Sequence, residues 1–327
     1  YWEFFQEKTN LNYYLDMALL KGIKNVRNLQ NREQQFEIDD FDFYAIGQSH
    51  LDMCWLWIKV QSIRRSIVTA QQAIEHFGKY PYFTFSQTQP QFYEWVKDYK
   101  PELFEQIKQY EKEGKWEMVG GMWVEPDVNL PSGESLVRQR LIGQSFFYKH
   151  FGHIATISCL EDTFGFNYQL PQILIKSGAE AFWTTKITWN DYTEFPFANF
   201  TWRGIDGSEI FTHMFLFNWL LVLNPTLYKR TGRKIKEKGL VFDSSSSLEK
   251  IKKKMSDDRV RTCGIFYGLG DGGLGPLQEE IDILTNIGRA GLLKFCTTER
   301  YFEILRDECG EQLPVWDDEL YLELHRG

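Results

Sequence analysis

The chain has 327 residues, enough to bury roughly three-quarters of its unfolded surface in a sizeable core. Its 37 Lys and Arg residues against 45 Asp and Glu leave a net charge of −8, which argues against a nucleic-acid binder with its basic face. The longest apolar-looking run, Met214–Leu223, contains Asn218 and falls far short of the about 20 residues a membrane-spanning helix needs.

At the start of the chain, residues 1–40 read as a polar, helical lead-in with no strand-like run. From residue 41 short apolar runs alternate with longer amphipathic ones, the pattern of βα units around a parallel sheet. Strands are expected at Phe43–Gly47, Tyr82–Ser86, Trp116–Val119, Ile154–Leu160, Ala181–Thr185, Phe200–Trp202, Ile210–His213, Thr262–Gly268 and Leu293–Cys296. Helices are expected at Gln61–Phe77, at Gln91–Gly114, from Pro131–Ser132 to Gly152, at Gln172–Ser177, from Leu277, and at Arg300–Asp307. Polar starts and glycine stops mark several of these ends. The count predicts an α/β fold, a parallel barrel rather than an open sheet. Tyr228–Arg259, rich in Lys, Arg and Ser, reads as a solvated excursion.

In a parallel barrel, chemistry gathers at the carboxyl ends of the strands. After the first run come His50 and Asp52, two apart on extended chain and so on one side of it. An imidazole and a carboxylate side by side are a suitable pair of zinc ligands. After Leu160 comes Asp162, and after Gly268 comes Asp271 within a run of glycines that permits a tight backbone. Alone, each has a plainer explanation: a hydrogen-bonded histidine, a helix cap, a turn aspartate. Together they place two carboxylates and a metal corner on one rim, the inventory for hydrolysis at an anomeric carbon. Of the other histidines, His76, His150 and His153 read as surface residues, while His213 ends a strand and could face the rim. Five cysteines with no C-x-x-C pair argue against a disulfide or cysteine-zinc scaffold and for reduced thiols in a reducing, cytoplasmic setting. There is no secretory signal at the start and no initiator Met, so the chain is expected to be a piece of a longer protein.

The segments GQSHLDMCWLW, GGMWVEPDVNLPSGESLVRQ, EDTFGFNYQLPQIL, KITWND, FTWRGIDGSEIFTH, YGLGDGGLGP and LYLELHRG resemble glycoside hydrolase family 38, the class II α-mannosidases of cytosolic and vacuolar type. The resemblance implies a seven-stranded β/α barrel over 41–310, with 311–327 starting a connection to a helical domain and β domains further on. It implies one zinc ion per site, held by His50, Asp52 and Asp162, with a last ligand beyond residue 327. It makes Asp162 the nucleophile and Asp271 the acid/base, so Asp271 is expected to have a raised pKa and Asp162 to stay ionised. It puts Trp55, Phe164 and His325 at the substrate, with Trp189 and Asp191 as weaker candidates. The implied activity is metal-dependent, retaining exo-hydrolysis of terminal α-mannose from oligosaccharides. Another α-mannoside, such as mannosylglycerate, or a sugar-binding pseudoenzyme remain alternatives, and self-association is left open. Three departures stand out: Glu161 where relatives often have Pro, Leu274 within an otherwise all-Gly run, and the apolar 214–223 stretch.

Overall fold

A computed structural model describes residues 42–190, 193, 195–214, 260–289, 291, 293–310, 313–321 and 323. The lead-in 1–40, Asp191, most of the apolar 214–223 run, the basic excursion 228–259 and His325 lie outside the described residues.

The first strand, β1 (Asp42–Ser49), is buried along almost its whole length. Such an unbroken apolar run is what a strand covered on both faces requires. After it come α1 (Lys59–Lys79), β2 (Phe85–Gln87), α2 (Pro90–Tyr99), α3 (Pro101–Lys112), β3 (Trp116–Met118), α4 (Gly133–Phe151), β4 (Ile157–Cys159), α5 (Leu170–Lys176) and β5 (Ala181–Thr184). A 3₁₀ turn, Lys186–Trp189, leads to the hairpin β6 (Asn199–Arg203) and β7 (Glu209–Met214). Then come β8 (Thr262–Tyr267), α6 (Gln278–Arg289), β9 (Leu293–Phe295), α7 (Thr298–Cys309) and β10 (Val315–Trp316).

Local chemistry explains the boundaries. The single helix expected over 91–114 is two, because Pro101 cannot supply an N–H to α2 and drives Lys100 out of the helical region (φ −147°, ψ 65°). Ser132 caps α4 by accepting the Ser135 N–H, and Gly152 ends it in the left-handed conformation, as the sequence pattern predicts.

Strand pairing among the described residues forms two sheets. In one, β1 is central: it pairs with β8 on one side and with β9 and β2 on the other, and β3 extends beyond β2, all parallel. The other runs β10-β6-β7-β5-β4, parallel except for the β6–β7 hairpin. The stretch expected to begin a connection thus contributes β10, and Leu320 forms a bridge with Phe166.

Among the described residues, strand pairing does not show the expected ring of seven strands closed. Between β3 and β4 a backbone bond, Gly120 N–H to Ile157 O (2.8 Å), takes the place of a ladder. The Tyr301 hydroxyl links the two sheets as well: it accepts from the Gly264 N–H of β8 (3.1 Å) and meets His213 Nε2 of β7 (3.3 Å). The sheets nevertheless share one core. Trp183 of β5 packs on Phe266 of β8 with ring centroids 4.6 Å apart, and a single buried cluster holds residues of both sheets. Burying aromatics of this size contributes about 1.5–3 kcal/mol each. The carboxyl ends of β1, β3, β4 and β8 deliver the loops that carry the candidate residues.

Candidate active site

His50 leaves the end of β1 and is buried. Its Nε2 lies 2.9 Å from Glu125 Oε2 and 3.8 Å from Asp52 Oδ1; its Nδ1 lies 3.6 Å from Asp271 Oδ1 and 3.3 Å from the Asp271 N–H. The loop after His50 is fixed at several points. Asp52 N–H donates to Asp271 O (2.8 Å), and the Trp57 indole N–H donates to Asp52 O (3.0 Å). The Arg65 guanidinium lies 4.1 Å from the Trp57 ring centre and donates to Gly272 O (2.8 Å). The β1 and β8 loops are therefore sewn together through their backbones.

Asp271 sits in that second loop at φ 53°, a left-handed conformation, flanked by Gly268, Gly273 and Gly275, all at positive φ. Leu274, between Gly273 and Gly275, is also left-handed at φ 82°, and its N–H is held by Thr69 Oγ1 (2.8 Å). Asp162 comes after β4. Its carboxylate is paired with the ammonium of Lys186, a buried cation from the 3₁₀ turn that lies 3.3 Å from the Trp189 ring centre and 4.5 Å from that of Phe164.

His50, Asp52 and Asp271 each offer one ligand atom, and these atoms all lie within 4.8 Å of one another. The resemblance implied Asp162 as the third ligand; here the third member of the cluster is Asp271, and Asp162 faces Lys186. Beside this cluster lies a cavity of about 350 Å³ whose wall includes His50, Asp52, Glu125, Asp162 and Phe164. Trp55 is 56% exposed, edge-on to Trp57, and stands on the rim outside that wall. Trp189 is half-exposed behind Lys186. His213 does not reach the rim: it is buried between Asn199 Oδ1 and the Tyr301 hydroxyl. His76, expected at the surface, is buried on the inner face of α1 and bonds to Pro276 O (2.9 Å).

Negative charge accumulates here. Burial lifts the Asp52 carboxyl to about 6 against the pull of His50, with Asp271 and Asp162 adding to the rise. Burial lifts Glu161 to about 8. It also raises Asp162, although His50 and Lys186 oppose it. Asp271 is lowered, by its hydrogen bond to His50. Burial would push the His50 imidazole down, but the Glu125 carboxylate, helped by Asp271, holds it well above the usual histidine range. This order is the reverse of the expected one, a raised Asp271 beside an ionised Asp162. The reason is depth: Asp162 is the more buried, and Asp271 has an imidazole partner. Hard oxygen donors, one imidazole and an excess of acidic groups over cations suit a divalent ion such as zinc. Such an ion would offset the repulsion among the carboxylates.

Two residues were missed from sequence. Glu125 lies a few residues beyond β3, and the rule applied to the other strands, a polar group after the apolar run, would have found it. Lys186 is the lone charged residue in Ala181–Trp189, among aromatic, aliphatic and threonine side chains, and that isolation was its signal.

The model of the glycosyl hydrolases family 38 N-terminal domain matches residues 40–319. The chain is 39% identical over 287 residues to alpha-mannosidase G of Dictyostelium discoideum, covering 87% of this chain and 25% of that protein. It is 36% identical over 294 residues to alpha-mannosidase 2C1 of Homo sapiens, covering 87% of this chain and 26% of that protein. The chain thus spans about a quarter of the length of these relatives. Among solved structures, an alpha-mannosidase from Enterococcus faecalis V583 superposes with a TM-score of 0.65 at 22% identity, over 86% of this chain and 31% of that one, a likeness of fold. With the family model matching most of its length and α-mannosidases among its relatives, this chain belongs to glycosyl hydrolase family 38.

Proposed function

We propose that the chain is the catalytic part of a metal-dependent, retaining exo-α-mannosidase that removes terminal α-linked mannose from oligosaccharides. The observation that carries this reading is the convergence of His50, Asp52 and Asp271 within 4.8 Å, beside a cavity walled by Asp162. The two sheets are read as halves of one barrel, and catalysis at the carboxyl ends of its strands fits that architecture.

A zinc ion held by His50 and Asp52, with a carboxylate of Asp162 or Asp271, would supply Lewis-acid binding of sugar hydroxyls. The chain's own residues do the rest. Asp162 attacks the anomeric carbon as the bond to the leaving oxygen breaks, forming a glycosyl-enzyme; Asp271, which must first take up a proton against the pull of its His50 bond, gives that proton to the leaving oxygen, then takes one from the water that releases the sugar. Lys186 holds Asp162 ionised and aimed through a charge-assisted bond. Phe164, on the cavity wall, and Trp55, on the rim, offer faces for sugar rings; His325 is proposed to border the same site. Further domains of the longer protein, helical and β, are proposed to complete the site and its metal ligands. A cytoplasmic location is proposed from the reduced cysteines. No helix of the described residues is long and apolar enough to cross a membrane.

The test is hydrolysis of an aryl α-mannoside by the full-length protein, before and after chelation, with the product's anomer followed by NMR. Zinc-restored activity and α-mannose as first product are expected. No cleavage, chelator-insensitive cleavage or β-mannose first would defeat the reading.

A further inference from the structure

Glu125 takes no part in the bond-making and bond-breaking steps, yet both oxygens of its carboxylate are engaged at the site. One carboxylate oxygen, Oε2, meets His50 Nε2 at 2.9 Å. The other, Oε1, accepts the Asp162 N–H (2.6 Å), the Thr163 N–H (3.2 Å) and the Thr163 hydroxyl (3.3 Å). Its own N–H donates to Gln89 Oε1 (3.0 Å), and Gln89 in turn donates to Leu51 O (2.8 Å). The Glu125 main chain is therefore tied, through Gln89, to the chain that carries His50. Its side chain reaches forward to the chain that carries Asp162.

These contacts have a physical consequence. β1 and β4 lie in different sheets, with no ladder between them. Nothing in the strand pairing fixes the distance from His50 to Asp162. A carboxylate has two oxygens and accepts at both, so one group can fasten an imidazole on one side and two main-chain N–H groups on the other. Hydrogen-bonded partners that orient a metal-binding histidine are worth about 10–100-fold in metal affinity or activity.

We propose that Glu125 is a positioning residue: it ties the His50 imidazole to the Asp162 main chain, so that the metal side and the attacking side of the site keep one fixed relation. The metal and the attack rest on the proposed mannosidase function. Gln in its place keeps an acceptor for the two N–H groups but loses the charge facing His50. Asp keeps the charge and loses the reach to span both.

The experiment uses the full-length protein and its Glu125→Gln, Glu125→Asp and Glu125→Ala variants. Zinc affinity is measured by calorimetry, kcat and KM with an aryl α-mannoside, and thermal unfolding as a control for folding. Zinc affinity is expected to fall about 10–100-fold in both conservative variants, with kcat falling more than KM changes and unfolding temperature little moved. Metal-free crystal structures of wild type and Glu125→Ala form the second arm; the His50 ring should turn and the 162–163 main chain should shift. Unchanged zinc affinity in folded variants, or an unmoved ring and main chain, would overturn the proposal. A wild-type protein that neither binds zinc nor cleaves mannosides would defeat the proposed function instead, and the crystallographic arm alone would then decide the role of Glu125.

Discussion

The two proposed catalytic carboxylates are held in opposite ways. Asp162 is held by side chains: Glu125 grips its N–H and Lys186 its carboxylate, with Lys186 pressed against Trp189. Asp271 is held through its main chain: its carbonyl accepts from the Asp52 N–H, and the Arg65 and Thr69 side chains bond the loop's main chain at Gly272 and Leu274, while its own side chain is 54% exposed. A nucleophile must stay ionised and aimed, and a buried charge can do so only beside a partner. An acid/base must reach a departing oxygen and then a water, which a half-exposed carboxylate on a turn permits. Electrostatics fixes one end of the site; backbone conformation fixes the other.

The largest test removes the rigid end. Asp162→Ala should lower kcat on an aryl α-mannoside by at least about 10³-fold. A rate near wild type would move the nucleophile elsewhere and dissolve the comparison.

Removing the exposed end should do something different in kind. Asp271→Ala should cost about 10²–10⁴-fold on mannosides with poor leaving groups and much less on activated aryl mannosides. Azide should partly restore turnover by attacking the glycosyl-enzyme in place of water. Equal losses across leaving groups, without azide rescue, would show that Asp271 is not the proton donor.

A third test moves to the helix that anchors the far end of the Asp271 loop. Glu280, in the first turn of α6, accepts the Leu277 N–H (2.8 Å), and burial lifts its carboxyl to about 7. The unfolded chain releases this proton near the ordinary 4.5, whereas the folded chain keeps it to about 7. Between those values the folded state binds more protons, so stability falls as pH rises through the window and stays lowered above it. Glu280→Gln should therefore be more stable than wild type by about 1–2 kcal/mol at pH 8, and should match it near pH 4. Urea unfolding at both pH values checks this; equal stability at pH 8 would show that burial does not strain this carboxyl.

The smallest effect concerns backbone strain. Leu274 holds φ 82° with its side chain partly exposed. Leu274→Gly should stabilise the protein by about 0.5–1 kcal/mol, relief of the left-handed strain outweighing the added freedom of the unfolded chain. A loss of stability would show that the Leu274 side chain contributes packing that exceeds the strain.

The sequence by itself determined the order of strands and helices as far as α7, because each apolar run and each cap is a local signal; β10, two residues long, carried none. It also determined that His50, Asp52, Asp162 and Asp271 come after strand ends, and the motif segments tied them to one family. It misjudged the helix over 91–114 by overlooking Pro101, a local signal left unread. Tertiary structure alone decided the rest. Strand pairing among the described residues made two sheets, joined by a backbone bond between β3 and β4 and by the Tyr301 hydroxyl between β7 and β8. His76 went inside because α1 turns that face to the core and Pro276 O is there to receive its ring. Asp271, rather than Asp162, joined His50 and Asp52, because Lys186 pairs with Asp162 and Glu125 takes its N–H. Periodicity can say which residues leave a strand on one rim. Which charges meet there depends on distances between chains far apart in sequence, and only packing sets those.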